Sequence, residues 1–396
     1  MVGIATAWRQ QDEGLGVTLL DPAPAAAASF GNAGVINPGS ILPLAGPHIW
    51  RSLARYLRHA DPGLRLSYTN LPRISAWLRI FLARSNEASL RETAAALAPF
   101  VAAALAEHQL LAQRAGASAL LRLTGWLKLY RNPAAMHGTS LEQALMREHG
   151  IAAEVLDAAS IRALEPILRP IFGAGLLYPQ AWSVSDPGEL CRRYHQAFLQ
   201  AGGASHQERA IEINSGPRWT VRTDRGAHIA EHVVIAAGAW SADLLRPLGY
   251  RIPLAAERGY HQHFPGASLA RPIYDVQRGY VMAPMQAGVR LTTGVELARR
   301  DAPPDTRPMA AILPAAREAL PLGEPLPERP WLGSRPSLPD GMPAIGPSRH
   351  PGLWFAFGHG HIGFSTGPIT GRLVADLMHG RAPPFDITPF SPSRFQ

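Results

Sequence analysis

Residues 331–377 read WLGSRPSLPDGMPAIGPSRHPGLWFAFGHGHIGFSTGPITGRLVADL. An arginine, Arg335, stands in what reads as a turn; an apolar run at 353–357 predicts a strand. A Gly- and His-rich loop follows at 358–367, and a helix is predicted from about Ile369. A strand that feeds a glycine loop opening a helix makes an anion cradle, because free backbone N–H groups and the positive helix end point the same way. Arg335 adds a planar cation suited to a carboxylate, which a lysine would grip less selectively.

Outward from this stretch, the chain is long enough, at 396 residues, for two domains with their own cores. Charged residues at 17% and hydrophobic ones at 46% are those of an ordinary globular enzyme. The net charge of +8 is carried almost wholly by arginine, Lys128 being the sole lysine. The basic residues are scattered and form no recognition module, so nucleic acid is excluded as a partner. Cys191 is the single cysteine, which rules out a disulfide framework and a cysteine-based metal site; no metal is expected. The start, MVGIATAWRQQ, lacks the features of a signal peptide. No run of about 18 apolar residues escapes interruption by Arg or Pro, so no spanning helix is expected.

The first residues predict a helix from Gly3, a turn at 13–16 and a buried strand at 17–20 ending in Asp21. In a dinucleotide-binding unit an acid follows the glycine fingerprint by roughly 20 residues and holds the ribose. Asp21-Pro22 also reads as a plain strand-ending turn. SFGNAGVINPG (29–39) is a connector or a backbone that approaches a ligand closely.

Two basic amphipathic helices are predicted at 48–60 and 72–84. They pack on a core with arginines at the rim, or they lie on a membrane surface. An Ala/Leu-rich helical stretch at 85–115 breaks near Pro99, and Asp186-Pro187 is a helix start, N-cap then N1. Strands are predicted at 126–130, 175–179, 209–213, 219–223 and 233–237, the last running into Ala-Ala-Gly-Ala. Further strands follow at 258–264, 278–284 and 289–294, then a Pro-rich linker at 303–330 with one short helix.

Four pieces in this order, Gly3 to Asp21, SFGNAG, VVIAAGAWS, and SRPSLPDGMPAIG with GHGHIGFSTGPITGRLVADL, resemble the FAD-dependent D-amino acid oxidase superfamily, nearest to its bacterial D-amino acid dehydrogenase branch. The resemblance implies an α/β fold: a glutathione-reductase-type FAD-binding domain (1–47, 186–247 and 332–396) and an α+β substrate or cap domain with a mixed or antiparallel sheet (48–185 and 248–331). It implies that Gly3 is the last fingerprint glycine and Asp21 the ribose ligand. Ser29, Asn32 and Ala33 would line the pyrophosphate and flavin, and Ile211 would meet the adenine. Ala237 and Gly238 would lie beside the cofactor, and Gly358, His359, Gly360, His361 and Gly363 would border the flavin pyrimidine edge. Arg335 would pair with the substrate carboxylate and Tyr280 would add a hydroxyl nearby, whereas His48 reads as a surface residue at a helix start.

By the same resemblance the reaction is oxidative deamination of a D-amino acid to a 2-oxo acid and ammonia. Hydride passes from Cα to flavin N5 and electrons go on to a quinone or another carrier. An oxidase or dehydrogenase of glycine, sarcosine or D-hydroxyproline is the alternative within the fold. Cys191 does not match the attachment position of covalently flavinylated relatives, so FAD is expected to be non-covalent. The expected location is the cytoplasm, with contact to the inner face of the cytoplasmic membrane as the alternative. The family's first strand and Gly-x-Gly turn would precede Met1. The expectation is therefore a reading frame that continues upstream, the alternative being a truncated, inactive flavoprotein.

Overall fold

A computed structural model describes residues 1–59 and 61–395. The N-terminal helix, Val2–Asp12, leads into the strand Thr18–Leu20, which pairs in parallel with Ala204–His206. A second small sheet runs Val233–Ile235, Leu353–Phe357, Ala344–Pro347, its first pair parallel. The N-terminal helix touches both Thr18–Leu20 and Leu353–Phe357, and so bridges the two sheets. The residues facing each other across the gap, 17–20 and 233–236, line a large cavity.

The C-terminal helix Gly363–Met378 packs along the N-terminal one. Two glycines permit the contact: a Cβ on Gly371 would stand 2.7 Å from the Ala5 carbonyl oxygen, and one on Gly367 would stand 2.5 Å from Met1 Cγ. Charge ties the same elements together, since Glu107 pairs with Arg9 and, at 2.8 Å, with Arg372. His108 reaches the Phe364 carbonyl at 3.0 Å, and burial brings its pKa down to about 4. The polar face of the N-terminal helix is also used: Gln10 donates to the Met378 sulfur at 3.1 Å, and Gln11 accepts from the Val17 amide at 3.2 Å.

The other large element is a mixed sheet of ten strands among the described residues. Its long central strand Ala255–Phe264 pairs antiparallel with Trp331–Ser337, Gly288–Thr292 and Val295–Leu297. Farther along come Tyr280–Met285, Ile273–Asp275, Trp126–Tyr130, Ala174–Tyr178 and Glu154–Asp157. Side chains alternate between faces with period two. One face carries Leu127, Leu129, Ile273, Tyr280, Met282 and Leu291 into a core covered by the helix Arg307–Ala319. The other face carries Trp126, Lys128, Tyr130, Tyr274, Val281, Thr292, Glu257, Gly259, Gly333 and Arg335 towards the cavity.

Several sequence expectations change here. Arg335 lies within a seven-residue strand and not in a turn, because Trp331–Ser337 pairs along its whole length with the strand Ala255–Phe264. The last helix begins at Gly363, before Ile369, and contains Pro368 as its sixth residue, in the second turn. Pro99 is inside the helix Glu87–Ala102, and the interruption before the next helix, Ala104–Arg114, falls at Ala103. The predicted linker contains a full helix, Arg307–Ala319. The predicted helix at 48–60 is present as His48–Leu57, and Ala60 lies outside the described residues. The stretch Glu87–Arg114 is, by length and composition, apolar enough to cross a bilayer, contrary to expectation. It packs Leu97, Phe100 and Leu111 into the cores, however.

The Gly371 contact gives a sign test. Helix propensity alone favours Gly371→Ala by about 1 kcal/mol, but overpacking against backbone costs about 1–3 kcal/mol, so a net loss of stability is expected. A lower Tm in thermal unfolding meets the expectation; a higher one contradicts it.

Candidate active site

The cavity between the small sheets and the large one has a volume of about 2050 Å³. It runs from Asp21, Arg209 and Ala210 at one end, past the N-terminus of the first helix, to Arg335, Glu257 and His361 at the other. Both helices that bridge the sheets present their N-termini to it. Val2–Asp12 starts without a side-chain cap, and so does Gly363–Met378, whose preceding turn Gly360–Ile362 also lines the cavity. Amide donors uncapped by protein and a positive helix end favour an anionic group at each position.

Most of the sequence-derived positions come together here. Gly3, Asp21, Ser29, Asn32, Ala33, Ala237, Gly238, His359, Gly360, His361, Gly363 and Arg335 all line the cavity. Asp21 also accepts from the Ala23 amide at 2.8 Å, which fixes the turn after its strand. Gly238 and Gly360 adopt φ of +56° and +54° with open space where a Cβ would stand, so the backbone itself is presented to the cavity. His359 is buried and engages Thr370 at 2.9 Å, while His361 opens into the cavity. Burial, helped by Arg335 and Lys128, brings His361 down to about 4, so its imidazole is neutral at physiological pH.

Three assignments are corrected. Tyr280 sits on the opposite face of the sheet, fully buried, its hydroxyl donating to the Ala315 carbonyl at 3.1 Å; its neighbours Gly279 and Val281 reach the cavity instead. Parity along the strand decides this. Ile211 is exposed and away from the cavity, and Ala210 lines it; the pairing register shifts between Ala210 and Glu212. Gly358 turns with φ of +86° against Leu338, whose Cδ1 would be 2.3 Å from an added Cβ, and lies outside the main cavity. Its glycine serves close packing beneath the loop. His48 stands exposed at a helix start, on the cavity rim. Cys191 is fully buried in the helix Pro187–Gln200 and does not line the cavity.

Arg335 projects from the strand Trp331–Ser337 with its guanidinium over Gly259, where a Cβ would fall 2.8 Å from Nη2. Burial lowers its pKa, opposed by the charge of Glu257, and no hydrogen bond from the protein contributes. A desolvated guanidinium without a fixed partner is a strong attractor for a carboxylate.

Other residues at the site carried no sequence signal beyond strand parity. Arg290 donates to the carbonyls of Phe30 at 2.9 Å and Asn32 at 2.5 Å, and to His263 at 3.0 Å, which holds the SFGNAG loop in place. Burial lowers the Arg290 pKa to about 10. Trp331 presses on the same loop: its ring lies 1.8 Å from where a Gly31 Cβ would be, and it stacks on His261 at 4.9 Å. Lys128 pairs with Glu142 across the cavity wall and lies over the Tyr178 ring. Burial opposes the lysine charge, yet Glu142 and the nearby tyrosines raise its pKa above the ordinary value.

The elongated cavity, with an acid at one end, two helix N-termini along it and a neutral, glycine-rich loop at the other, fits a dinucleotide with a planar redox ring. Comparison with known proteins agrees. The chain matches the FAD dependent oxidoreductase family across residues 1–377. A D-amino-acid oxidase of Bradyrhizobium diazoefficiens is 32% identical over 410 residues, covering 100% of this chain and 96% of that protein. A D-amino acid dehydrogenase of the same organism is 28% identical over 412 residues, covering 100% and 97%. Among solved structures, glycine oxidase from Geobacillus kaustophilus superimposes with a TM-score of 0.77 at 21% identity, over 98% of this chain and 95% of that one. L-proline dehydrogenase from P. horikoshii gives a TM-score of 0.72 at 16% identity, over 100% and 95%. The protein is a member of the FAD dependent oxidoreductase family and uses FAD as its cofactor.

Proposed function

We propose that the protein oxidises D-amino acids to 2-oxo acids and ammonia. The observation that carries this is Arg335, half-buried in the cavity opposite the glycine loop, its guanidinium without a protein hydrogen bond among the described residues. The D preference is supported by the full-length relatives named D-amino-acid oxidase and D-amino acid dehydrogenase. Bound FAD supplies the two-electron acceptor for the Cα–H bond. Asp21 and Ala210 hold the adenosine end, and the N-terminus of Val2–Asp12 with Ser29, Asn32 and Ala33 holds the diphosphate. Ala237 and Gly238 lie alongside. The backbone from His359 to Gly363 directs amides at the ring edge where negative charge develops. His361, neutral at physiological pH, adds no competing charge.

Arg335 binds the substrate carboxylate in a two-pronged grip and so fixes which hydrogen of Cα faces the cofactor. Burial of the site strengthens that grip and excludes water from the reacting carbon. The FAD is held without a covalent bond, Cys191 being fully buried and not lining the cavity. The electrons pass to a quinone or another carrier, and the protein acts in the cytoplasm or on the inner face of the membrane.

Removing the guanidinium gives the direct test. Loss of a charge-assisted pair of this kind is worth about 1.5–3 kcal/mol, so Arg335→Ala is expected to lower kcat/KM for D-amino acids by about 10- to 100-fold. Arg335→Lys, which keeps the charge but not the fork, should fall between; an Arg335→Ala enzyme with unchanged kcat/KM removes this arginine from the mechanism. For the loop, Arg290→Met should weaken FAD binding by about tenfold through loss of two carbonyl contacts. Flavin retained on gel filtration as tightly as in the parent protein would contradict that support.

A further inference from the structure

Directly opposite Arg335 in the antiparallel pair stands Glu257, on the same face of the sheet and lining the same cavity. It is 2% exposed, and its Oε2 is buried without a hydrogen-bond partner. A carboxylate so placed would ordinarily close an ion pair with the arginine across the strand, yet no such pair forms between them among the described residues. The contrast with its neighbour is sharp: Arg258, on the other face, is engaged by Glu296 at 3.3 Å, by Tyr260 at 3.1 Å and by the carbonyls of Arg299 and Pro303. The acid on the cavity face is the one left with bonding capacity.

We propose that Glu257 receives the α-ammonium of the substrate, so that Arg335 and Glu257 together read the zwitterion, and that Glu257 accepts a proton from it. This rests on the reading of Arg335 as the carboxylate site. Paired residues on neighbouring strands are separated by about 5 Å, a spacing that a small amino acid can bridge with its two charged groups. The arrangement inverts the charges of the ligand: a cation for the carboxylate, an anion for the ammonium, with the Arg335 guanidinium and the Glu257 Oε2 both without a protein hydrogen bond among the described residues. In the proton step one N–H bond of R–CH(NH3⁺)–COO⁻ breaks and one O–H bond forms on Glu257. The products are R–CH(NH2)–COO⁻ and a neutral carboxylic acid, with no change in oxidation state. The free amine then carries the lone pair that the later oxidation of Cα–H requires. Burial pushes the Glu257 pKa up, against smaller opposing effects of Ser337 and Arg335, which makes its carboxylate a stronger base than one in water.

The test compares a ligand that has the amino group with one that lacks it. Affinity of the FAD-loaded protein for propionate is measured from the change in flavin absorbance, and that for D-alanine from the concentration dependence of the anaerobic flavin-reduction rate, in the parent, Glu257→Gln, Glu257→Asp and Arg335→Ala proteins. Glu257→Gln should weaken D-alanine by at least tenfold while leaving propionate unchanged or tighter, since a negative charge beside Arg335 has been removed. Glu257→Asp should recover part of the D-alanine affinity. Equal losses for both ligands, no loss for either, or a parent protein that does not prefer D-alanine to propionate overturns the proposal. Failure of the carboxylate reading has a separate signature: Arg335→Ala that leaves propionate affinity intact.

Discussion

A guanidinium removed from water and given no fixed counter-ion is costly to keep, and the geometry around Arg335 is what makes it possible. Gly259 supplies a bare backbone under the guanidinium, Gly333 leaves room for the Trp331 ring, and the cavity leaves the donor edge open. An acid close enough to neutralise it would close the site. Glu257 lies opposite, and no such bond forms between them. The position therefore stores a binding capacity that only an entering anion can use.

The remainder of the molecule brings that face of the large sheet to a glycine loop on another sheet. The two helices packed through Gly367 and Gly371 join the small sheets and point their N-termini into the same cavity. Arg290 and Trp331 extend from the large sheet to the SFGNAG loop, so the cofactor wall and the substrate wall are tied by hydrogen bonds and by ring packing. A displacement of the sheet moves both walls together. Orientation of a substrate carbon against a redox ring needs that rigidity, because small errors in approach are expensive in rate.

Much of this was legible in the sequence where local chemistry is specific. The 353–357 strand with its glycine loop, the Asp186-Pro187 helix start and the first helix-turn-strand with Asp21 all read correctly from turn residues and apolar runs. Misreadings arose where tertiary pairing overrode local signals. Gly-Ser-Arg-Pro looks like a turn and becomes a strand because it pairs residue by residue with Ala255–Phe264. The last helix, predicted from about Ile369, begins six residues earlier at Gly363, directly after the loop turn Gly360–Ile362. Tyr280 was placed at the site by the family resemblance, although its strand parity sends it to the far core. Glu257 and Arg290 were overlooked because a charged residue in a strand reveals its face only after the register is known.

The central claim is that this cavity oxidises D-amino acids held by their carboxylate. Anaerobic mixing of the FAD-loaded protein with matched D and L enantiomers of a panel of amino acids, followed at the absorbance of oxidised flavin, tests it most directly. The account predicts bleaching by D enantiomers and none by their L partners; bleaching by L enantiomers alone, or by no amino acid in the panel, would contradict it.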